Sequence, residues 1–328
     1  MKGSNRECPV LYLVVPCYNE EAIILESARV MKEKISELIQ AGTIDKNSKV
    51  LFVNDGSKDK TFALLSEAAR KDDSFIVVSL VGNAGHQNAI WAGMMTASKA
   101  DVVITIDADL QQDINAVADF LECYRNGAEV VYGVRNNRES DGTFKKLSAL
   151  AYYKFMHLMG SRILKNHADY RLISRKVIDA LKEYNESNLF LRGLIPSLGF
   201  PSDIVYFDTK ERIGGETKYT LSKMLKLATD GITSFTIRPL RIISFAGFIT
   251  MLFSIILIIF SFIEWLQGKN VPGYTTLLLV TLFMSGIILL SLGVIGEYLG
   301  KIYLETKSRP KYLIDCVISA AKEAEDDD

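Results

Sequence analysis

Two long apolar runs constrain this chain more than any other feature. Ile242–Ile263 holds no charged residue over 22 positions, and Asn270–Gly296 holds none over 27. Each is long enough to cross the hydrocarbon core of a bilayer, which takes roughly 20 apolar residues in a helix. As buried core helices they would need a further globular domain to cover them, and only about 30 residues follow the second run. Both are therefore expected to be transmembrane helices. Arg238 and Arg241 precede the first, and Lys301, Lys307, Arg309 and Lys311 follow the second. The short connection holds Lys269 alone. Such flanks stay on the cytoplasmic side. The expectation is a multi-pass protein of the cell inner membrane, with both termini cytoplasmic and a short outer loop at Glu264 and Trp265. Neither run carries an internal charge that would mark a transport path. Their apolar faces could pack in a homo-oligomer.

Beside these runs, the rest of the chain reads as a soluble, reduced part. Its mean hydropathy of +0.14 over 328 residues is too low for a many-spanning transporter. With 38 Lys+Arg against 39 Asp+Glu it lacks the basic excess of a nucleic-acid binder. Cys8, Cys17, Cys123 and Cys316 form no CxxC pair, and His86, His157 and His167 no HxxxH pair. Neither a zinc knuckle nor a disulfide framework is signalled. Met1–Pro9 lacks the apolar centre of a signal peptide.

Up to Tyr132, short β-branched runs alternate with amphipathic ones. Leu11–Val15, Val50–Val53, Phe75–Val81 and Val102–Ile106 predict strands, and Glu20–Ala41, Asp59–Lys71 and Gln87–Ser98 predict helices. That order implies an α/β, Rossmann-like, mostly parallel sheet. Such sheets bind ligands at the carboxyl ends of their strands. Tyr18-Asn19-Glu20, Asn54-Asp55-Gly56-Ser57 and Asp107-Ala108-Asp109 fall there. Asp-x-Asp at a turn can turn both carboxylates to one hard cation, Mg²⁺ or Mn²⁺, with Gln111 adding an amide oxygen. Taken singly, each motif is also an ordinary loop or helix-start pattern; their repetition at successive strand ends is what points to a site. From Gly133 to Pro239 the pattern loosens. Thr143–Gly160 reads as a helix mixing Phe144, Tyr152, Tyr153 and Phe155 with Lys145, Lys146 and Lys154. That mixture suits a membrane interface or an ordinary surface helix. The expected division is 1–235 catalytic with interfacial helices, 236–300 membrane-spanning and 301–328 a cytoplasmic tail with a solvated acidic end.

Val14-Val15-Pro16-Cys17-Tyr18-Asn19-Glu20-Glu21, Val53-Asn54-Asp55-Gly56-Ser57 and Asp107-Ala108-Asp109-Leu110-Gln111 resemble an inverting family-two glycosyltransferase with the GT-A fold. Asp169-Tyr170-Arg171-Leu172-Ile173-Ser174-Arg175, the 211–219 segment, Asp230-Gly231-Ile232-Thr233-Ser234-Phe235 and Gly296-Glu297-Tyr298-Leu299-Gly300 are similar to its polyprenyl-phosphate members, which include bactoprenol glucosyltransferases and resemble dolichol-phosphate mannose synthases. The resemblance implies that Pro16, Tyr18 and Glu20 border the donor nucleotide and that Asp55 hydrogen-bonds its base. It assigns Asp107, Asp109 and Gln111 to the metal. Arg135, Lys145, Lys146 and Ser148 go to the acceptor phosphate, and Arg212 and Lys218 to a segment closing over the diphosphate. Asp169 is either a base or a structural acid paired with Arg171 or Arg175. Three departures stand out: Gly82 where the family often has Arg, Gln112-Asp113-Ile114 where it has Asp-Pro-Pro, and Thr217 where it has Ser. His86 could replace the missing basic contact or merely open a helix.

The implied reaction is transfer of a hexose or N-acetylhexosamine from a nucleotide-sugar, expected to be a UDP-sugar, to undecaprenyl phosphate. A GDP-mannose-dependent mannosyltransferase and an inactive membrane scaffold are the alternatives. A processive synthase would carry Gln-x-x-Arg-Trp, which this sequence lacks.

Overall fold

The computed structural model describes residues 6–136, 167–184, 186, 189–209, isolated positions from 240 to 267, and 273–320. Contacts divide the chain into two units. The first comprises 1–150, 162–218 and 309–328, and the second 151–161 and 219–308.

The first unit is built on one eight-stranded sheet. In chain order its elements are β1 (Leu11–Cys17), α1 (Ile24–Gln40), β2 (Lys49–Asn54), α2 (Thr61–Lys71), β3 (Phe75–Leu80), α3 (His86–Thr96), β4 (Val102–Thr105) and α4 (Ala116–Arg125). They continue with β5 (Val130–Arg135), β6 (His167–Ser174), α5 (Arg175–Lys182), α6 (Leu191–Ser197) and β7 (Ser202–Phe207). After α7 (Tyr274–Thr306), which belongs to the second unit, the chain returns as β8 (Ile314–Ile318).

The strand order is β7-β5-β6-β4-β1-β2-β3-β8. β4, β1, β2 and β3 run parallel, as the alternating pattern predicts. β6 lies antiparallel between β4 and β5, and β7 joins β5 in parallel. The four predicted strands and three predicted helices all form, with ends shifted by a few residues. The looser region was under-read: β5 runs through Gly133 to Arg135, because Val130, Val131, Tyr132 and Val134 are all buried. The segment expected to be a tail also adds an edge strand, β8, antiparallel to β3. The predicted helix 143–160 and the acidic end 321–328 lie outside the described residues.

Alternation along the strands sorts the core into two layers. Leu11, Leu13, Val15, Val50, Phe52 and Val77 join Ile24, Met31, Ile35 and Leu65 of α1 and α2 in the main cluster. Val14 and Val53 face α3 instead, at Gly93. A Cβ at Gly93 would lie 2.4 Å from Val14 Cγ1 and 2.9 Å from Val53 Cγ2. The absent side chain is what lets α3 lie this close to β1 and β2.

In the second unit, α7 is 33 residues long, about 50 Å at 1.5 Å per residue. Its portion Phe283–Thr306 is long and apolar enough to cross a membrane, the one such helix among the described residues. The helix starts after Gly273 rather than at Asn270 and runs beyond the uncharged stretch through Glu297, Lys301 and Glu305. Those residues of 240–263 that are described are helical, and Phe245, Phe248, Phe253 and Ile256 among them are exposed.

Gly93→Ala is expected to destabilise the first unit by about 1–3 kcal/mol, since two core valines must shift. A lowered Tm in thermal unfolding checks this; an unchanged Tm would show that α3 does not sit this close to the sheet.

Candidate functional site

The sheet opens where β1 and β4 part. Val14 accepts from Ile106 N–H at 3.0 Å on the β4 side. The next residue of β1 facing that side is Pro16, which has no N–H to give. Its register partner is Val53 of β2, so β1 stays paired there and loses only β4. β2 and β4 flank β1 on opposite sides, making this the switch point of the sheet, where ligands of open α/β sheets bind.

On one side of the opening, the turns after β1 and β2 hold each other. Asn19 sits at φ 56°. Its N–H donates to Ser57 Oγ at 3.1 Å, and its Oδ1 accepts from Lys58 N–H at 2.8 Å. Glu20 N–H donates to Thr61 Oγ1 at 2.9 Å. Tyr18 is exposed. Asp55 is buried, and its two oxygens accept from Ala84 N–H at 2.7 Å and Gly85 N–H at 3.0 Å. Burial raises the Asp55 pKa above the usual carboxylate value, and those two N–H donors only partly offset it. Gly56, at φ 65°, lets the 82–85 loop approach: a Cβ there would lie 2.6 Å from Gly82 C. This contact gives the departure at Gly82 a physical context, since Gly82 backbone packs directly on Gly56.

On the other side, β4 delivers Asp107, Ala108 and Asp109. Leu110, at φ 55°, turns the chain, and Gln111 N–H donates to Asp109 Oδ1 at 3.2 Å. The amide that grips Asp107 belongs to Gln112. It accepts from Asp107 N–H at 3.0 Å and donates to Asp107 Oδ2 at 2.7 Å. The departure from Asp-Pro-Pro thus brings a buried side-chain clamp on the first carboxylate. Ser27, buried in α1, donates to the Ala108 carbonyl at 2.5 Å. Burial raises the Asp107 pKa; His86 and Arg135 counter it, while Asp169 and Asp109 add to it.

Asp169 stands behind Asp107. Its carboxylate takes hydrogen bonds from Arg171, from Arg192 Nη2 at 2.8 Å and from Gln87 Nε2 at 3.3 Å. Thr105 Oγ1 donates to its carbonyl. His86 Nε2 bridges the two acids, 3.6 Å from Asp169 Oδ2 and 3.7 Å from Asp107 Oδ1. Burial alone would raise the Asp169 pKa, but Arg192, His86 and Arg171 together hold it well below the usual range. Burial opposes charge on His86, yet the pull of Asp169 and Asp107 raises its pKa. Arg175 instead caps the carbonyls of Ala97 and Ala100. The structure pairs Asp169 with Arg171 and Arg192, an arrangement that favours the anion and occupies its oxygens.

Pro16, Tyr18, Glu20, Asp55, Asp107, Asp109, Gln111 and Asp169 thus fall at this end of the sheet. Arg135 ends β5, exposed. Lys145, Lys146, Ser148, Arg212 and Lys218 lie outside the described residues. Sequence reasoning missed Ser27, Gln87, Gln112 and Arg192. Only Gln112 had a signal, its place immediately after the Asp-x-Asp turn.

Among the described residues no three His, Cys, Asp or Glu side chains gather as a metal cage. Two carboxylates at a turn, Asp107 and Asp109, fit a hard divalent cation whose remaining positions are filled by water and substrate phosphates.

Residues 12–182 match glycosyl transferase family 2, and residues 238–302 match the GtrB C-terminal hairpin. The chain is 44% identical over 308 residues to the uncharacterized glycosyltransferase YkoT of Bacillus subtilis (strain 168), covering 94% of this chain and 91% of that one. It is 36% identical over 304 residues to the prophage bactoprenol glucosyl transferase homolog of Escherichia coli (strain K12), covering 92% and 97%. A structure of glucosyl-3-phosphoglycerate synthase from Mycobacterium tuberculosis with Mn²⁺, UDP and glucosyl-3-phosphoglycerate superposes with a TM-score of 0.45 and 20% identity, covering 69% of this chain and 78% of that one.

Asp169→Asn leaves the buried Arg171 guanidinium beside Arg192 without an anion, and is expected to cost about 3–5 kcal/mol at pH 7. Because the Asp169 pKa is depressed on folding, its contribution is full above the unfolded value of about 3.9 and is lost as pH falls through the folded value. Denaturation of both proteins from pH 7 downward should show a constant gap that narrows only in strong acid. A gap closing between pH 7 and 5 would contradict the assignment.

Proposed function

Because this chain belongs to glycosyl transferase family 2, we propose that its GT-A unit transfers a hexose or N-acetylhexosamine from a UDP-sugar to undecaprenyl phosphate, inverting the anomeric carbon. The observation that carries this reading is the Asp107-Ala108-Asp109 turn at the opening between β1 and β4, clamped by Gln112 and Ser27. The acceptor class is supported by the C-terminal hairpin match and by relatives named bactoprenol glucosyl transferase. The proposed setting is the cytoplasmic face of the cell membrane. Two spans, with both termini inside, hold the unit beside its lipid acceptor.

Asp107, Asp109 and Gln111 would hold Mg²⁺ or Mn²⁺, whose charge would offset the negative charge gathering on the departing diphosphate. Tyr18, Glu20 and the turn around Pro16 border the nucleotide, with Asp55 shaping the wall through the 82–85 loop. Arg135 receives the acceptor phosphate, helped by Lys145, Lys146 and Ser148. Arg212 and Lys218 close over the diphosphate. A phosphate monoester has a second pKa of about 6, so the acceptor is already largely dianionic at neutral pH. It needs orientation more than deprotonation. Asp169, its oxygens engaged by Arg171 and Arg192, acts as a positioning residue. It holds His86 and Gln87 of α3 against the site.

Transfer of radiolabelled sugar to undecaprenyl phosphate, from UDP-glucose, UDP-N-acetylglucosamine, UDP-galactose and GDP-mannose, tests the proposal. One UDP-sugar should yield an organic-extractable product. EDTA should abolish it, and Asp109→Ala should lower the rate at least about 100-fold. No product from any donor with folded protein would sink the reading in favour of a scaffold. Product from GDP-mannose alone would replace the donor class.

A further inference from the structure

Gln112 governs how the Asp107 carboxylate can be used. Its amide donates to Asp107 Oδ2 at 2.7 Å, and its Oε1 accepts from Asp107 N–H at 3.0 Å. Two bonds to one residue set the rotation of that carboxylate. Asp107 Oδ1 is engaged differently: His86 Nε2 lies 3.7 Å from it, beyond hydrogen-bond reach. The clamp is itself held. Gln112 is 3% exposed, and its backbone bridges to Thr209 beyond β7. The carbonyl of the next residue, Asp113, accepts from the Tyr170 hydroxyl at 3.0 Å. Ser27 pins the Ala108 carbonyl from α1. The turn therefore has little freedom to re-aim its first carboxylate.

We propose that Gln112 is the residue that makes the Asp-x-Asp turn select Mg²⁺ and Mn²⁺ against Ca²⁺. Mg²⁺ demands near-octahedral geometry at about 2.0–2.1 Å, and Asp107 Oδ1 alone can serve as one of its ligands. Ca²⁺ is larger, takes about 6–8 oxygens and draws on bidentate carboxylates in adaptable sites. A bidentate grip by Asp107 would take Oδ2 away from Gln112 and leave a buried amide without its acceptor. That penalty falls on the cation that needs both oxygens. An Asp at this place, as in the Asp-Pro-Pro pattern, has no amide to donate to Oδ2. The selectivity would thus come from this chain's own departure. The inference deepens the metal reading above and rests on it.

The test uses the full chain in detergent with UDP present, as wild type, Gln112→Met, Gln112→Ala and Asp107→Ala. Mn²⁺ binding is followed by electron paramagnetic resonance and Ca²⁺ binding by its displacement of Mn²⁺, each corrected for binding to UDP alone. Gln112→Met keeps the side-chain length and removes the amide; Gln112→Ala leaves space for a water on Asp107 N–H. The readout is the ratio of the two affinities, because a loosened fold would weaken both cations together. Wild type should bind Mn²⁺ at least about 30-fold more tightly than Ca²⁺, and either variant should cut that ratio about ten-fold, mainly by gaining Ca²⁺. Wild-type Ca²⁺ affinity within about three-fold of Mn²⁺ would overturn the proposal without any variant. So would an unchanged ratio in a folded variant. Mn²⁺ that wild type fails to bind, or that Asp107→Ala binds equally well, would overturn the metal reading and the selectivity with it.

Discussion

The site depends on one buried negative charge. The Asp169 carboxylate joins four parts of the chain: Arg171 of its own strand β6, Arg192 of α6, Gln87 and His86 at the start of α3, and, through its carbonyl, Thr105 at the end of β4. A lone buried carboxylate would give up its charge; this one keeps it because cations surround it. Its field also acts on Asp107, whose pKa it helps to raise. The first carboxylate of the Asp-x-Asp turn is thus destabilised as an anion at rest. The charge of a divalent cation held there would offset that repulsion.

The opening exists because two features of the backbone coincide. β4 and β2 lie on opposite sides of β1, and Pro16 withholds the next hydrogen bond on the β4 side. Around that gap the turns are held by side chains rather than by ladder bonds. Asn19, Ser57, Thr61 and Asp55 tie the β1 and β2 turns and the 82–85 loop together, and Ser27 and Gln112 hold the turn after β4. The site's geometry therefore rests on polar contacts between segments far apart in sequence.

That explains what the sequence made legible. The β1–β4 half is local: each βα pair announces itself by β-branched runs, amphipathic spacing and a polar turn, so the ends of four strands and the acids on them could be read directly. β5, β6 and β7 depend on antiparallel and long-range parallel pairing, which leaves no local signature. β8 did leave one, in the β-branched Ile314, Val317 and Ile318, but its cationic approach after an apolar run reads as a membrane flank. Gln112 stood out only as a departure after the Asp-x-Asp turn, and Arg192 was hidden because a hydrogen bond to a carboxylate 23 residues away has no spacing rule. The choice for Asp169 between base and structural acid, open in sequence, is narrowed by the oxygens its arginines occupy.

In the proposed transfer the acceptor phosphate attacks the sugar carbon, not a phosphorus atom of the donor. The most direct measurement is mass spectrometry of the lipid and the nucleotide after reaction with undecaprenyl phosphate carrying ¹⁸O in its phosphate. Attack at the sugar carbon gives a lipid with a single phosphorus that keeps all of the label, and unlabelled UDP. A lipid diphosphate with UMP as by-product would show transfer of sugar phosphate and contradict it.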